Sequence, residues 1–249
     1  MRFVNISIGT MDSFLMNKAV QEVRDMGYDI DYRNFDNTDL DEDPLFLADA
    51  VQFISGADFV TIKVHGDTSY CKKFDKIRDA LEVHHVCMHL SCTDDCVTEA
   101  FRSFFIGTDE EYDLVMRYAV LGGDDNFISL LKWALNRFDG LDLEVNPPIC
   151  PLTEGVYYPG EEPYTFQEYL SKLDPKKPNI GIFFYQKQWV NGNLDNVDGL
   201  IRAVEELGGN PIAMFFNTLE GKIDGSKGIK RILREDMTVD GIPVLDAAI

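Results

Sequence analysis

Two apolar runs separated by an amphipathic helix pattern lie in the second half of the chain. Residues 180–185 and 211–216 have the length and composition of buried strands. Between them, apolar positions recur every three or four residues and predict one buried helix face: Val197, Leu200, Ile201, Val204 and Leu207. Asn193 is a candidate N-cap, and Gly208 and Gly209 supply a left-handed stop. The pattern predicts a β-α-β unit with parallel strands and a right-handed crossover.

Strand and helix patterns also alternate through residues 1–90. Strands are predicted at 3–8, 28–32, 57–64 and 83–90, and helices at 14–26, 45–54 and 74–81, with an acidic turn over 34–43. The run 57–64 is apolar nearly throughout, which is typical of a strand buried on both faces. Strands that alternate with helices predict an α/β fold with a parallel, doubly wound sheet of the flavodoxin or Rossmann type.

After residue 94 the strand pattern gives way to helices, predicted at 109–119 and 124–138. Prolines 147, 148 and 151 forbid a helix and predict an extended, irregular connector over 143–162, followed by a short helix at 164–173. We therefore expect an α/β domain at 1–105, a helical segment at 106–142, a proline-rich connector at 143–178 and the start of a second α/β domain at 179–249. Because the last predicted strand begins only at residue 244, we expect the chain to be a piece of a longer polypeptide.

Composition and charge narrow the classes of partner. The 249 residues carry a net charge of −20, which disfavours binding to nucleic acid and insertion into or contact with anionic membranes. The beginning of the chain lacks the basic start and apolar core of a signal peptide. The number of cysteines, 5, is odd, and free thiols fit a reducing compartment. These features predict a cytoplasmic protein.

The carboxyl end of the predicted strand 180–185 is the first candidate site, because ligands of parallel α/β sheets bind at that edge. The aromatic and polar side chains of Tyr185, Trp189 and Asn193 follow the strand there. The alternative is a loop whose Tyr and Trp side chains only cover the edge of the sheet.

A cluster of histidines and cysteines at 84–96 is the second candidate. On a strand, His85, Cys87 and His89 would share a face at about 6.6 Å per step, so the outer pair could not bind one ion. His89, Cys92 and Cys96 are the candidate metal ligands, although their spacing matches no known zinc motif. Buried thiols and a core histidine are the alternative reading. Residues 221–227 resemble a phosphate-binding loop but place Ser226 where glycine is required.

Three ordered stretches resemble one known family. They are FYQKQWVNGN with VDGLIRA, LGGDDNFISLL at 121–131, and PPICPLTEGVYYP at 147–159, in which Tyr158 stands where histidine is usual. Together they are similar to the CobN and magnesium-chelatase H-subunit family, the large subunits of ATP-dependent metal chelatases. The resemblance implies that the helical segment at 106–142 packs on the first domain.

The resemblance also implies a function. The chain would be the N-terminal part of a large subunit that holds a tetrapyrrole, with Tyr185, Trp189 and Asn193 bordering the macrocycle cleft. Separate AAA+-type ATPase partners would use ATP, and cobalt or magnesium would be the substrate metal of a ligase that forms nitrogen–metal bonds. The catalytic residues would lie beyond residue 249, and this part alone would bind no cofactor.

Several functional readings follow. The motifs at 121–131 and 147–159 favour cobalt insertion into a corrin precursor during cobalamin biosynthesis over magnesium insertion into a porphyrin, with nickel or a different chelatase-like role still open. A non-catalytic α/β module that binds a ligand or a partner is the alternative of another class. A periplasmic-binding-type sensor is disfavoured by the missing signal peptide and the free thiols.

Overall fold

The computed structural model describes residues 1–10, 13–92, 94–219, 226–239 and 241–249. The chain forms two compact units, residues 1–150 and 151–249, which are treated separately below.

The first unit is built on a parallel sheet. Its strands are β1 (Arg2–Ile8), β2 (Asp31–Asp36), β3 (Phe59–Val64) and β4 (Cys87–Cys92), in the order β2-β1-β3-β4. The helices are α1 (Ser13–Asp25), α2 (Asn37–Glu42), α3 (Pro44–Ile54), α4 (Phe74–His84), α5 (Asp95–Ala100), α6 (Asp109–Leu121) and α7 (Asp124–Asp139), with 3₁₀ turns at Thr68–Tyr70 and Arg102–Phe104. Alternate residues of the strands feed two separate cores, one on each face of the sheet. A parallel sheet with a core on both faces confirms the predicted doubly wound α/β fold.

The helical half of this unit follows its sequence pattern closely. Helix α6 begins with a capping box, in which the Thr108 hydroxyl accepts from the Glu111 amide and the Glu111 carboxylate accepts from the Thr108 amide. Helices α1 and α7 pack together, and Lys18 forms an ion pair with Asp124 at the start of α7. Buried apolar residues of α1, α6 and α7 pack on the same face of the sheet, so α6 and α7 complete that face.

Two predicted elements of this unit are wrong in detail. The strand predicted at 83–90 begins only at Cys87, because α4 runs on through His84 and ends at His85, whose φ of 51° is the left-handed conformation of a helix stop. The acidic turn predicted over 34–43 contains the end of β2 and all of α2. Asp36 and Asp43 each accept backbone N–H bonds as N-caps of α2 and α3.

The second unit is also α/β, with a mixed sheet in the order β10-β6-β7-β5. Its strands are β5 (Glu154–Tyr157), β6 (Asn179–Tyr185), β7 (Asn210–Phe216), the hairpin of β8 (Thr238–Val239) with β9 (Ile242–Pro243), and β10 (Ala247–Ala248). The helices are α8 (Phe166–Leu170), α9 (Gln186–Val190), α10 (Asp195–Glu206) and α11 (Ile229–Arg231), followed by a π turn at Ile232–Asp236. Strands β6 and β7 are parallel and are joined through α10, as the β-α-β pattern predicted.

Three expectations for this unit need correction. Residues 154–157 of the predicted irregular connector form β5, which pairs antiparallel with β7. The turn after β6 is largely the helix α9. Asn193 is not an N-cap: α10 begins after Leu194, no side chain caps it, and the Asn193 amide donates to the Gln188 carbonyl instead. The stretch at 221–227 that resembles a phosphate-binding loop lies mostly outside the described residues.

Residues 140–152, all of them described, form neither helix nor strand, as the prolines predicted. Two asparagines of α7 hold this segment. The Asn136 side chain donates to the Leu143 carbonyl and accepts from its amide, at 2.9 and 2.7 Å. Asn126 makes the same pair of bonds with Ile149, at 2.8 and 2.9 Å. Each asparagine therefore takes the place of a strand neighbour, and we call the two residues the asparagine clamps.

Within the described residues, no helix has both the length and the apolar composition needed to cross a membrane.

Candidate functional site

The carboxyl edge of the second unit's sheet carries the three residues predicted to border a macrocycle. Tyr185 ends β6, Trp189 lies on α9, and Asn193 follows that helix. All three belong to one nine-residue segment, so the fold does bring them to a single edge of the sheet. Because β6 and β7 are parallel, Phe216 at the end of β7 lies at the same edge.

The two aromatic residues of this segment play different parts. The Tyr185 side chain is 53% exposed, and its ring contacts Phe216 with the centroids 5.0 Å apart and the planes tilted by 46°. Trp189 stacks flat on Phe215, at 4.5 Å and 5°, and packs against the core beside α10. Tyr185 therefore offers an open aromatic face. Trp189 has one face packed against the core. Asn193 is exposed.

The base of the segment is fixed by a buried amide. Gln186, the first residue of α9, is 4% exposed, and its Nε2 donates to the Leu152 carbonyl at 2.5 Å. The sequence places Gln186 in the polar stretch that follows the predicted strand. It does not predict that this side chain is buried, because its partner lies 34 residues away in the chain.

The motif that contains β5 is joined to α10 by two tyrosines. The Tyr157 hydroxyl donates to Asp198 at 2.9 Å, and burial together with this carboxylate raises the pKa of Tyr157 to about 12. The Tyr158 hydroxyl donates to Glu205, also at 2.9 Å, and this bond is the main cause that raises the pKa of Tyr158. Both phenols stay protonated at neutral pH and act as hydrogen-bond donors that position the motif.

Beside β5 lies a cavity of about 370 Å³ that the sequence did not predict. Glu154 accepts from the backbone amide of Lys227 and from the Ser226 hydroxyl. The Lys227 ammonium forms two bonds with Asp236, at 2.7 and 2.9 Å. Apolar side chains such as Phe166 and Met214 line the remainder. The charged residues are distant in sequence, so no local motif marks them.

The candidate metal ligands of the first unit do not converge. His89 is a buried core residue on β4, with 1% exposure. The Cys92 thiol lies 3.3 Å from the Gly66 carbonyl and also accepts from the Asp94 amide, whereas Cys96 is exposed on α5. Within the described ranges, no three His, Cys, Asp or Glu side chains are placed to hold one metal ion. His85 caps a helix and does not share the strand face with Cys87 and His89.

His89 remains neutral over the physiological pH range. Burial is the main cause that lowers its pKa to about 3, and the nearby positive charge of Arg102 lowers it further. The guanidinium of Arg102 lies over the Tyr112 ring, 3.8 Å from its centroid, and Tyr112 in turn contacts the His89 ring. The burial of the ring and the adjacent cation both oppose protonation.

Three comparisons place the chain among known proteins. Residues 116–248, just over half of the chain, match the family described as CobN/Magnesium Chelatase. An uncharacterized protein of Methanocaldococcus jannaschii is 34% identical over 146 residues, which are 57% of this chain and 12% of that relative. The solved structure titled "Catalytic Subunit of Cobaltochelatase from Mycobacterium tuberculosis" aligns with 93% of this chain and 17% of its own, at a TM-score of 0.56 and 20% identity.

These comparisons differ in what they establish. At 20% identity the structural match supports the fold, and the chain spans only a small part of either relative's length. The family match includes the motif at 121–131, the β5 motif and the segment from Tyr185 to α10. The family predicted from those stretches is therefore confirmed: the chain belongs to the CobN/magnesium chelatase family.

Proposed function

We propose that this chain is the N-terminal part of the large, tetrapyrrole-binding subunit of an ATP-dependent metallochelatase, and that the metal is cobalt and the macrocycle a corrin precursor of cobalamin. The family match over residues 116–248 is the observation that carries the proposal. The structural similarity to a cobaltochelatase catalytic subunit favours cobalt over magnesium. In this proposal the metal is a substrate, held by residues outside this chain.

Tyr185 is the proposed contact for the macrocycle. Its ring is exposed at the carboxyl edge of the sheet, yet Phe216 supports it from the side, so little conformational freedom is lost when a flat ring stacks on it. Trp189 keeps α9 in place through Phe215, and Asn193 adds an exposed amide that can bond to a peripheral carboxylate or amide of the macrocycle.

The energy source and the compartment are further parts of the proposal. AAA+-type partner subunits hydrolyse ATP, and the large subunit holds the macrocycle and the metal. The thiols of Cys71, Cys87, Cys92 and Cys96 form no disulfide, which fits the cytoplasm as the compartment.

Macrocycle titration of the complete polypeptide tests the proposal. Hydrogenobyrinic acid diamide and protoporphyrin IX are added separately, and the absorption band of each macrocycle is followed to saturation. We expect the corrin precursor to bind more tightly. Tyr185→Ala should weaken binding about threefold to tenfold, the range expected for one lost aromatic stack. Tyr185→Phe should keep the parent affinity.

Tyr70→Ala is the matched control, because Tyr70 is 59% exposed and belongs to the first unit. Equal affinities for Tyr185→Ala and the parent would remove the edge assignment and leave the family function intact. If neither macrocycle binds, the alternative of a non-catalytic binding module is favoured. Preference for the porphyrin, followed by magnesium insertion once ATPase partners are added, would replace cobalt by magnesium.

A further inference from the structure

A row of polar side chains crosses the first unit's sheet beneath α1 and α7. The strand register aligns Asn34, Asn5, Thr61 and His89 on four neighbouring strands. Asn5 Nδ2 donates to Asn34 Oδ1 at 2.7 Å, and Thr61 Oγ1 donates to Asn5 Oδ1 at 2.9 Å. The chain of hydrogen bonds therefore runs over three strands and stops at Thr61, which is paired in register with His89 on the fourth strand.

His89 is the member of the row without a protein partner. Its side chain is 1% exposed, and no described residue forms a hydrogen bond with Nδ1 or Nε2. Aromatic rings cover it on one side: Tyr112 at 4.9 Å and Phe105 at 6.0 Å between centroids. A neutral imidazole has one N–H donor and one nitrogen acceptor, and leaving them unpaired in a core costs free energy.

The other side of His89 faces a small cavity. The polar residues that line it together with His89 are Asn5, Ser7, Thr61, Lys63 and Ser91, and Met16, Ala119, Phe127 and Leu130 close it. The Lys63 ammonium donates to the Ala119 carbonyl. No carboxylate is among the described residues that line it, which disfavours a metal cation. The space available to the centre of a water-sized sphere is about 20 Å³, which accommodates one water molecule and excludes an organic ligand.

We propose that this cavity is a binding site for a single structural water that completes the polar row between Thr61 and His89. The Thr61 proton is already donated to Asn5, so Thr61 offers a lone pair, and the water donates one hydrogen to it. The same water pairs with a ring nitrogen of His89, and the hydroxyl of Ser91 is its third partner. The water thereby links β3 to β4 through their side chains and fixes one tautomer of His89.

A high-resolution crystal structure of the parent chain tests the site directly. An ordered water within about 3.2 Å of a His89 nitrogen and of Thr61 Oγ1 supports the proposal. A protein group bound to that nitrogen, density for an ion or an organic molecule, or no density in the cavity would each overturn it. In solution, the ¹⁵N shifts of the imidazole should show one neutral tautomer, and an equal mixture of both would contradict the model.

A double-mutant cycle measures the link through the water. Thr61→Val and His89→Phe each remove one end of the bridge. Either substitution should therefore cost less stability when the other is already present. Each single substitution raises the unfolding constant by some factor. We expect the factor for the double variant to be at least fivefold smaller than the product of the two single factors. Thr61→Val with Cys87→Ala is the control pair, because Cys87 lies on β4 like His89, but its sulfur is hydrogen-bonded to the backbone of Ile106. Should the two pairs couple to the same degree, packing and not a shared water would explain the result. If His89→Phe does not fold, the imidazole ¹⁵N shifts are measured in Thr61→Val instead. Loss of the single tautomer there supports the water bridge, and an unchanged tautomer contradicts it.

Discussion

Replacement of Asn126 should destabilise the first unit more than its position at the edge of a loop suggests. Its side chain is 4% exposed and makes three hydrogen bonds: Nδ2 donates to the carbonyls of Gly122 and Ile149, at 2.7 and 2.8 Å, and Oδ1 accepts from the Ile149 amide. At about 1 kcal/mol for each bond, Asn126→Ala loses about 3 kcal/mol. The better helix propensity of alanine returns about 0.5 kcal/mol.

The other clamp residue provides the internal comparison. Asn136 makes two bonds with Leu143 and is only half-buried, so Asn136→Ala should cost about 1–2 kcal/mol before the same propensity gain. Asn126→Asp should be worse than Asn126→Ala, because a carboxylate has no N–H to donate and would face the two carbonyl oxygens that the amide now satisfies.

Urea unfolding of the first unit can be read on its own. The chain has two tryptophans, Trp133 in the core of the first unit and Trp189 in the second, so a Trp189→Phe background leaves Trp133 as the reporter. With a urea slope of about 2–3 kcal/mol/M, Asn126→Ala should lower the midpoint by about 1 M. A shift for Asn126→Ala no larger than that for Asn136→Ala would refute the reasoning from bond count and burial.

Two further predictions concern acid stability and backbone contact. In the unfolded chain His89 takes up a proton near its ordinary pKa of 6.5, whereas its pKa in the folded protein is about 3, so the free energy of unfolding falls as the pH drops below 6.5. In urea titrations at pH 8 and pH 5, the parent should lose about 2 kcal/mol more than His89→Phe does. An equal pH dependence in both proteins would contradict this. Gly155→Ala places a Cβ 2.9 Å from the Phe215 ring and should lower the free energy of unfolding by about 1–3 kcal/mol. Gly199→Ala, in open space on α10, should raise it by about 0.5–1 kcal/mol. Thermal unfolding distinguishes the two signs, and a Gly155→Ala variant as stable as the parent would show that the ring can move.

The sequence predicted the α/β class because hydrophobic periodicity is a local property and most of these elements are amphipathic or fully apolar. It misplaced β4 because the apolar residues at 83 and 86 fit a helix end as well as a strand start. The left-handed conformation of His85, which decides the matter, is one that a non-glycine residue adopts only where the fold requires it. The N-caps Asp36 and Asp43 could have been predicted from the sequence, because an aspartate directly before a helix pattern is a common start signal.

The candidate site was predictable only where its residues are close in sequence. Tyr185, Trp189 and Asn193 follow one strand, so the rule for parallel sheets places them at a common edge. The partner of Gln186, the cavity beside Glu154 and the pairing of β5 with β7 depend on contacts between distant parts of the chain, which periodicity does not encode. The metal site predicted at the histidine and cysteine cluster fails for the same reason. These residues are close along the chain, but among the described residues no three of them are placed to hold one ion.

The asparagine clamps have a consequence for amide hydrogen exchange between residues 140 and 152. Backbone amides outside helices and strands ordinarily exchange quickly, but those of Leu143 and Ile149 are held by side-chain oxygens of α7. The amides of Leu143 and Ile149, six residues apart, should therefore exchange slowly although they lie in neither a helix nor a strand. Their exchange rates would report how often the outgoing chain lifts away from α7 while the sheet beneath stays folded.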